Sequence, residues 1–496
     1  MSIVRNRDQF AANASPPLRS VTDRRTFLAA LAAVAGGSMA LAQTPVAPKR
    51  RPAPLQAPQG IDGLATRSRI VLELSGKLKV ADPDPSSKKP PREAEVKAES
   101  IVDFDERIVF NRHNQISAAA RHYHEATVNA WVAGHASSHL LREECYETRL
   151  LRSEGTWQQY CPTQPMQARE VDLTRLPINT VVIDQLLPAS PVKPDDSWSP
   201  SDQVVAELFQ LEAVHASKLI AHVTTVEKGV ATIEFEGDVD GTVNSVSTQL
   251  KVTGSLHAAL GEQCALVTWL GVSIVETRAV SQAEPGFSLT ARINLIRQEE
   301  PTACRDVSGA ELRDLANTPD DARWILQVHS VPGRYQFLAD RRWKAIVDTG
   351  EEAILRLIEK NQVVAQCNIT RLPKLAAGQQ LTTAGMQDDI KRSLDKSLQS
   401  LVQSSERMNS GGMRVLRCEA VGTSSDVPVR WVYAHASDDS GRRVSLVFTM
   451  SAEASETFGL ADEQITGSFE LLADATKEQP TPATESASKG GRSSVR

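Results

Sequence analysis

The sequence predicts an α+β protein in which a large, curved antiparallel β-sheet domain with few helices precedes a smaller α/β sandwich domain. Three observations lead to this prediction. Apolar and polar residues alternate over long runs between residues 67 and 298, as strands with one buried face require. Strand patterns alternate with helix patterns between residues 321 and 473. The chain of 496 residues is long enough for about two or three domains.

The period-two alternation defines the strands of the first domain. The apolar phase is clearest in three runs: Ile70, Leu72, Leu74, Leu78 and Val80; Val246, Leu250, Val252 and Leu256; and Phe287, Leu289, Ala291, Ile293 and Leu295. Such alternation is typical of antiparallel sheets that have one buried and one solvent-exposed face. A helix is predicted from Ser201, its N-cap, to Leu211. Because so few helices leave the sheet half-covered, we expect an apolar cleft.

The second domain begins after a connector over residues 299–320. A hairpin is predicted over residues 353–358 and 363–369, and three strands over 413–421, 428–436 and 443–450. Between them, Met386, Ile390, Leu394, Leu398 and Leu401 form one stripe, which predicts a long helix capped by Thr382 or Thr383. A short helix is expected over residues 462–472.

This order of elements resembles the PsbP-like and DcrB-like superfamily. The residues that carry the resemblance are Gly333, Tyr335 and Phe337, followed by Trp343 and, in the closing helix, Ile465 and Phe469. The resemblance implies an antiparallel sheet between helices and mostly non-enzymatic accessory or binding roles. Residues 67–298 are similar to uncharacterised exported bacterial proteins, most distinctively in the run 191–198.

The N-terminus has the pattern of a signal peptide over residues 1–42. Five arginines precede the apolar run 27–35, and Ala40-Leu41-Ala42 gives a small-x-small cleavage site. Arg24-Arg25 resembles a twin-arginine signal, although the general secretory route and an uncleaved membrane anchor stay open. A Pro-rich linker over 43–66 and a disordered tail over 474–496 complete the prediction. We therefore expect a periplasmic or secreted protein without a transmembrane helix in the mature chain.

Composition and motifs exclude several functions. The formal net charge is −6, and without residues 1–42 the chain holds 50 basic and 59 acidic groups, because that segment carries five arginines and two acids. An acidic chain without a basic stripe is a poor nucleic-acid ligand. The sequence contains no G-x-S-x-G, H-E-x-x-H, P-loop or G-x-G-x-x-G motif. We expect no cofactor and no catalysis.

The six cysteines are Cys145, Cys161, Cys264, Cys304, Cys367 and Cys418. None forms a C-x-x-C pair, which excludes the usual zinc-ribbon and thioredoxin patterns. Cys367 and Cys418 are in phase with apolar strand residues and are predicted to be buried thiols. Cys145 and Cys161 are the candidates for a disulfide bond, because a hairpin of that length brings its ends together.

Two sets of side chains are candidate sites. His122 and His124 share a strand face, and His135 and His139 follow one hairpin later, with Glu125 as the only carboxylate placed beside them. Four such imidazoles could bind zinc or copper, but the simpler interpretation is that they are solvated strand histidines. The second set is a candidate ligand-binding patch on one strand face, with core packing as the alternative: Trp431, Tyr433 and His435.

The function predicted is that of an exported, non-enzymatic binding or accessory protein of the cell envelope. Its partner is an apolar small molecule or the surface of another envelope protein. The alternatives are a metal-assisted hydrolase that uses the histidine cluster and a purely structural envelope component.

Overall fold

The computed structural model describes residues 64–80, 90–113, 115–153, 156–188, 196–261, 264–281, 285–318, 320–376 and 378–473. The predicted signal peptide, most of the linker and the C-terminal tail lie outside the described residues. The linker prediction extends too far, since Leu64 to Thr66 already belong to the first strand. None of the helices in the described ranges has the length and hydrophobicity needed to span a bilayer.

Long strands from the first two thirds of the chain form one antiparallel sheet, which has thirteen strands among the described residues. Its strands are β1 Leu64–Val80, β2 Arg92–Phe110, β3 Ile116–Val132, β4 His135–Leu140, β5 Glu147–Ser153, β6 Thr156–Tyr160, β7 Ser197–Trp198, β8 Ala213–Ser217, β9 Ile220–Glu227, β10 Val230–Val243, β11 Val246–Leu260, β12 Ala265–Arg278 and β13 Gly286–Glu299. The main order is β6-β5-β3-β2-β1-β13-β12-β11-β10-β9-β7, with β4 on β3 and β8 on β10. The prediction of a large antiparallel sheet is confirmed.

Short helices between β6 and β8 cover one face of this sheet. They are α1 Ala168–Thr174, the 3-10 helix Thr180–Leu186 and α2 Asp202–Leu208. The Ser201 hydroxyl accepts a hydrogen bond from Val204 N, so the predicted N-cap is confirmed, although the helix ends three residues early. We call residues 166–188 and 199–211 the covering segment, and the sheet face beneath it the inner face.

Contacts at both edges show that the sheet curls around the covering segment. Eleven strands at about 4.8 Å spacing would extend about 50 Å if flat. Yet Trp157 on the edge strand β6 donates a hydrogen bond to Glu207 of α2 (3.0 Å). On the opposite edge strand, β7, Trp198 donates to the Leu186 carbonyl (2.9 Å). Because a short segment contacts both edges, the sheet must be strongly curved.

Two buried ion pairs attach the 3-10 helix to the sheet. Asp184 accepts hydrogen bonds from Arg297 on β13 (2.7 Å) and from the Val267 amide on β12 (2.8 Å). The Arg121 guanidinium on β3 donates to Glu106 on β2 (2.8 Å) and to the hydroxyl of Thr180 (2.9 Å). Charged groups this deeply buried require such partners.

Two further antiparallel sheets contain the other strands of the described residues. One consists of β14 Ile325–Ser330, β15 Tyr335–Asp340 and β23 Glu470–Leu471. The other follows the order β16-β17-β18-β22-β21-β20-β19, with β16 Trp343–Asp348, β17 Glu352–Glu359, β18 Gln362–Leu372, β19 Leu398–Met408, β20 Arg414–Ser424, β21 Val427–Ser437 and β22 Arg443–Ser451. The predicted hairpin and the three-strand meander are confirmed within a few residues.

The long helix predicted from Met386 to Leu401 is wrong in its second half. Helix α4 covers Thr383–Leu394, capped by Thr382, and after the 3-10 turn Asp395–Ser397 the chain continues as β19. Leu398 and Leu401 still pack with Met386 and Ile390 in one cluster. The reason is that β19 has two register shifts against β20, which keep residues spaced by three on the same side.

The remaining helices are short. They are the 3-10 helices Glu143–Cys145 and Asp321–Trp324, α3 Gly309–Asn317, α5 Ser455–Phe458 and α6 Ala461–Ser468. Helix α3 lies in the predicted connector, where Leu312 is fully buried in a small apolar cluster with strands β2 and β3. In α6, Ile465 is fully buried, and the adjoining Phe469 stacks on Tyr335 and Phe337.

Candidate ligand-binding cleft

A cleft of about 250 Å³ opens between the covering segment and the inner face of the large sheet. Apolar side chains of four strands form its floor: Leu74 on β1, Leu250 on β11, Ile274 on β12, and Leu289 and Ala291 on β13. Leu176, Pro177 and Phe209 of the covering segment form the wall. Leu74 and Leu289 are only half-buried, so they are the floor side chains that an entering molecule can reach.

A glycine keeps the space beside this floor open. Gly76 follows Leu74 on the inner face of β1 and pairs with Leu289. Its φ is +153°, and a Cβ there would lie 2.2 Å from the Ser288 carbonyl oxygen. Only glycine fits this backbone approach, and no side chain fills the position between Leu74 and Leu78.

The inner face stays apolar beyond the covering segment. Leu78 pairs with Phe287 on one side and with Ala94 on the other. All three side chains are half-buried. The cleft therefore continues into a partly accessible apolar strip.

Polar groups lie at one side of the cleft. The Arg278 guanidinium stacks over the Phe287 ring at 4.7 Å and donates to Glu276 Oε1 at 2.7 Å. Its Nε is buried and has no hydrogen-bond partner among the described residues. On the covering segment, Arg175 Nε donates to Gln210 Oε1 at 2.8 Å. An apolar floor beside two guanidinium groups and one carboxylate fits a molecule with an apolar body and a hydrogen-bond-accepting head.

The alternation in the sequence predicts most of the floor but not the polar groups. Leu74, Leu250, Leu289 and Ala291 were predicted on the buried face, and the structure brings them together in the cleft. Glu276 and Arg278 continue the apolar phase of Leu270, Val272 and Ile274 on β12. Charged residues in the phase of an otherwise apolar face are the signal that could have found them.

A larger depression, of about 650 Å³, lies on the outer face of the same sheet. Exposed charged residues dominate its lining: Glu73, Glu95, Lys97, Glu99 and Arg292. They occupy the polar phase of β1, β2 and β13, so this depression is part of the solvated face of the sheet, and Leu74, Ala98 and Trp131 add apolar surface to its lining.

The histidine candidates lie on β3 and β4, as the spacing suggested. His122 and His124 are in edge contact, with ring centroids 4.9 Å apart. Their carboxylate partners differ from the expected Glu125: His122 Nδ1 is 2.5 Å from Glu147, and His124 Nε2 is 3.2 Å from Asp105. Glu125 instead pairs with Arg69 at 3.2 Å.

The β4 histidines are offset along the hairpin from the first pair. His139 pairs with Val128 and His135 with Val132, which places them about 13 Å or more along the strand from His124. Within the described residues, no group of three or more His, Cys, Asp or Glu side chains is arranged to hold a metal ion. The metal-assisted hydrolase thus gains no geometric support.

Trp431, Tyr433 and His435 share one face of β21, which α4 covers. Trp431 and Tyr433 pack in the apolar cluster with Met386 and Ile390. His435 is 3% exposed, and both ring nitrogens have no hydrogen-bond partner among the described residues. Burial, together with the charges of Arg443 and Arg414, lowers the pKa of His435 to about 4. This geometry favours the core-packing interpretation of the three residues.

The buried His435 should make stability fall in mild acid. In the unfolded chain the His435 ring is protonated near pH 6.5, but in the folded chain only near pH 4. The free energy of unfolding is therefore highest above pH 6.5 and decreases as the pH falls from 6.5 to 4. The free energy of unfolding of the unmodified chain should decrease between pH 7 and pH 4, and His435→Gln should make that decrease smaller by about 3 kcal/mol. Urea unfolding at both pH values measures the difference. The exposed His329→Gln is the control, and equal pH profiles for both variants would contradict the prediction.

Comparisons with known proteins give partial structural likenesses at low identity. No family model and no curated protein matches the chain. The solution structure of cyanobacterial PsbP (CyanoP) from Synechocystis sp. PCC 6803 is 12% identical, covers 30% of this chain and 92% of its own, and gives a TM-score of 0.24. A structure of lipovitellin, described for its lipid-protein interactions, is 11% identical in sequence and gives a TM-score of 0.28. The match covers 49% of this chain and 26% of the lipovitellin chain. The likeness to PsbP is therefore weak and confined to part of the chain.

Proposed function

We propose that this chain is an exported, non-enzymatic binding protein of the cell envelope that holds an amphipathic small molecule in the cleft. The observation that carries the proposal is the half-buried apolar floor around Leu74 and Leu289, next to Arg278, whose Nε has no hydrogen-bond partner among the described residues. An apolar chain would displace water from the floor, and its polar head would accept hydrogen bonds at the rim.

The proposed specificity follows from charge and size. Arg175 and Arg278 outnumber Glu276 at the rim, so an acidic or neutral acceptor head is favoured over a cationic one. The cleft volume of about 250 Å³ accommodates one short apolar group, and the strip around Leu78 and Phe287 would contact the remainder of a longer chain.

The test is a binding titration of the purified chain with a fluorescent fatty acid. We expect Leu74→Asp to weaken binding at least about tenfold, because a carboxylate on the apolar floor must be desolvated and repels an acidic head. Ser75→Asp is the matched control, since Ser75 is the next residue of β1 and faces the solvated side. Circular dichroism would verify that both variants fold.

Two outcomes would contradict the proposal. One is an unmodified chain that does not bind fatty acids, and that carries no ligand detectable by native mass spectrometry when purified from its own envelope. The other is binding that Leu74→Asp and Ser75→Asp weaken equally, which would place the ligand elsewhere.

A further inference from the structure

The clearest feature outside the cleft is a pair of buried thiols where the covering segment begins. Cys145 ends the 3-10 helix after β4, and Cys161 follows β6. All six cysteines of the chain are free thiols in this structure, so the predicted disulfide is not formed in it. Cys145 is fully buried and Cys161 is 7% exposed.

Each of the two sulfur atoms contacts a residue that is close in sequence to the other cysteine. Cys161 Sγ lies 3.3 Å from the carbonyl oxygen of Glu144, the residue before Cys145. In the other direction, Gln164, three residues after Cys161, donates to Cys145 Sγ at 3.8 Å. Cysteines so placed can form a bond without a large backbone movement.

The surroundings make the two thiols unequal. Hydrogen bonds from Cys145 and from Thr163 lower the pKa of the Cys161 thiol to about 5. The pKa of the Cys145 thiol is raised by a hydrogen bond with Cys161, by burial and by the nearby Glu170. The thiolate is the reactive form of cysteine, and Cys161 is also the less buried of the two.

We propose that Cys145 and Cys161 are a disulfide-forming pair in which Cys161 reacts first with an external small-molecule disulfide. The Cys161 thiolate attacks one sulfur of that disulfide, forms a mixed disulfide and releases one thiolate. Cys145 then gives up its proton and attacks Cys161 Sγ, which forms the protein disulfide and releases the second thiolate. The two cysteines are oxidised and the external disulfide is reduced to two thiols.

The bond would fix the start of the covering segment to the sheet. Residues 161–167 lead directly into α1, whose Glu170 receives hydrogen bonds from Arg142 at 2.6 Å and from the Gln167 amide at 2.7 Å. Arg142 also approaches Cys145 Sγ at 3.7 Å. The thiol pair and this ion pair therefore anchor the same turn, and oxidation would add a covalent link there.

The test uses the full chain, purified with reducing agent and then treated with glutathione disulfide. Remaining thiols are alkylated, and peptide mass spectrometry locates every modification. We expect a cross-linked peptide that joins Cys145 to Cys161, and a Tm about 3 °C above that of the reduced chain. Alkylation of both cysteines in the oxidised chain, or a bond from either one to another cysteine, would overturn the proposal.

Single variants test the order of the steps. Cys145→Ser should accumulate a stable glutathione adduct on Cys161, whereas Cys161→Ser should leave Cys145 unmodified over the same time. Cys264→Ser is the control and should leave the Cys145–Cys161 bond intact. Equal adduct formation on Cys145 and Cys161 in the two variants would exclude Cys161 as the thiol that reacts first.

Discussion

Replacing Asp184 with asparagine should lower the free energy of unfolding by about 3 to 5 kcal/mol. The partner, Arg297, is fully buried, and the Asp184 carboxylate contacts it at 2.7 Å. Without that charge, the guanidinium remains in the core uncompensated. Urea unfolding followed by circular dichroism measures the effect.

Two further variants separate charge pairing from general perturbation. Glu93→Gln breaks the exposed ion pair with Lys77 and should leave stability unchanged, because solvent screens such pairs. The double variant Asp184→Leu with Arg297→Met should be more stable than Asp184→Asn, since it removes both buried charges. If Asp184→Asn unfolds like the unmodified chain, the ion pair does not hold the covering segment to the sheet.

Replacing Phe469 with alanine should cost about 3 to 5 kcal/mol in the C-terminal part of the chain. Phe469 is fully buried and stacks on Tyr335 and Phe337, with ring centroids 5.3 and 5.8 Å apart. The variant leaves a cavity between β15 and the end of α6. Differential scanning calorimetry measures the change, and Leu460→Ala, at a side chain that is 70% exposed, is the control.

The same calorimetry tests the predicted division of the chain at residues 299–320. If residues 321–473 unfold as a separate domain, Phe469→Ala should lower only one of two transitions. A single transition that shifts as a whole would show that the two regions unfold together. A variant with the same heat profile as Leu460→Ala would contradict the role of the stacked rings.

Much of the fold could be read from local patterns. Period-two alternation in runs such as Ile70 to Leu78 predicted which side chains face the interior, because strand geometry turns successive residues to opposite faces. The sequence predicts Ser201 as one helix cap and Thr382 or Thr383 as another, and in the structure the hydroxyls of Ser201 and Thr382 accept hydrogen bonds from the first helical turn. The floor of the cleft follows from the same alternation.

The sequence alone determined a β-rich chain with a one-sided apolar sheet and a few capped helices, because these properties depend on neighbours along the chain. The tertiary structure decided the pairing of β1 with β13, the strand that contains Leu398 and Leu401, and the position of Arg278 beside the cleft. It also brought Cys145 and Cys161 close together and buried the His435 ring, which has no hydrogen-bond partner among the described residues. These features depend on contacts between residues far apart in sequence, on register shifts and on the curl of the sheet, which no local spacing encodes.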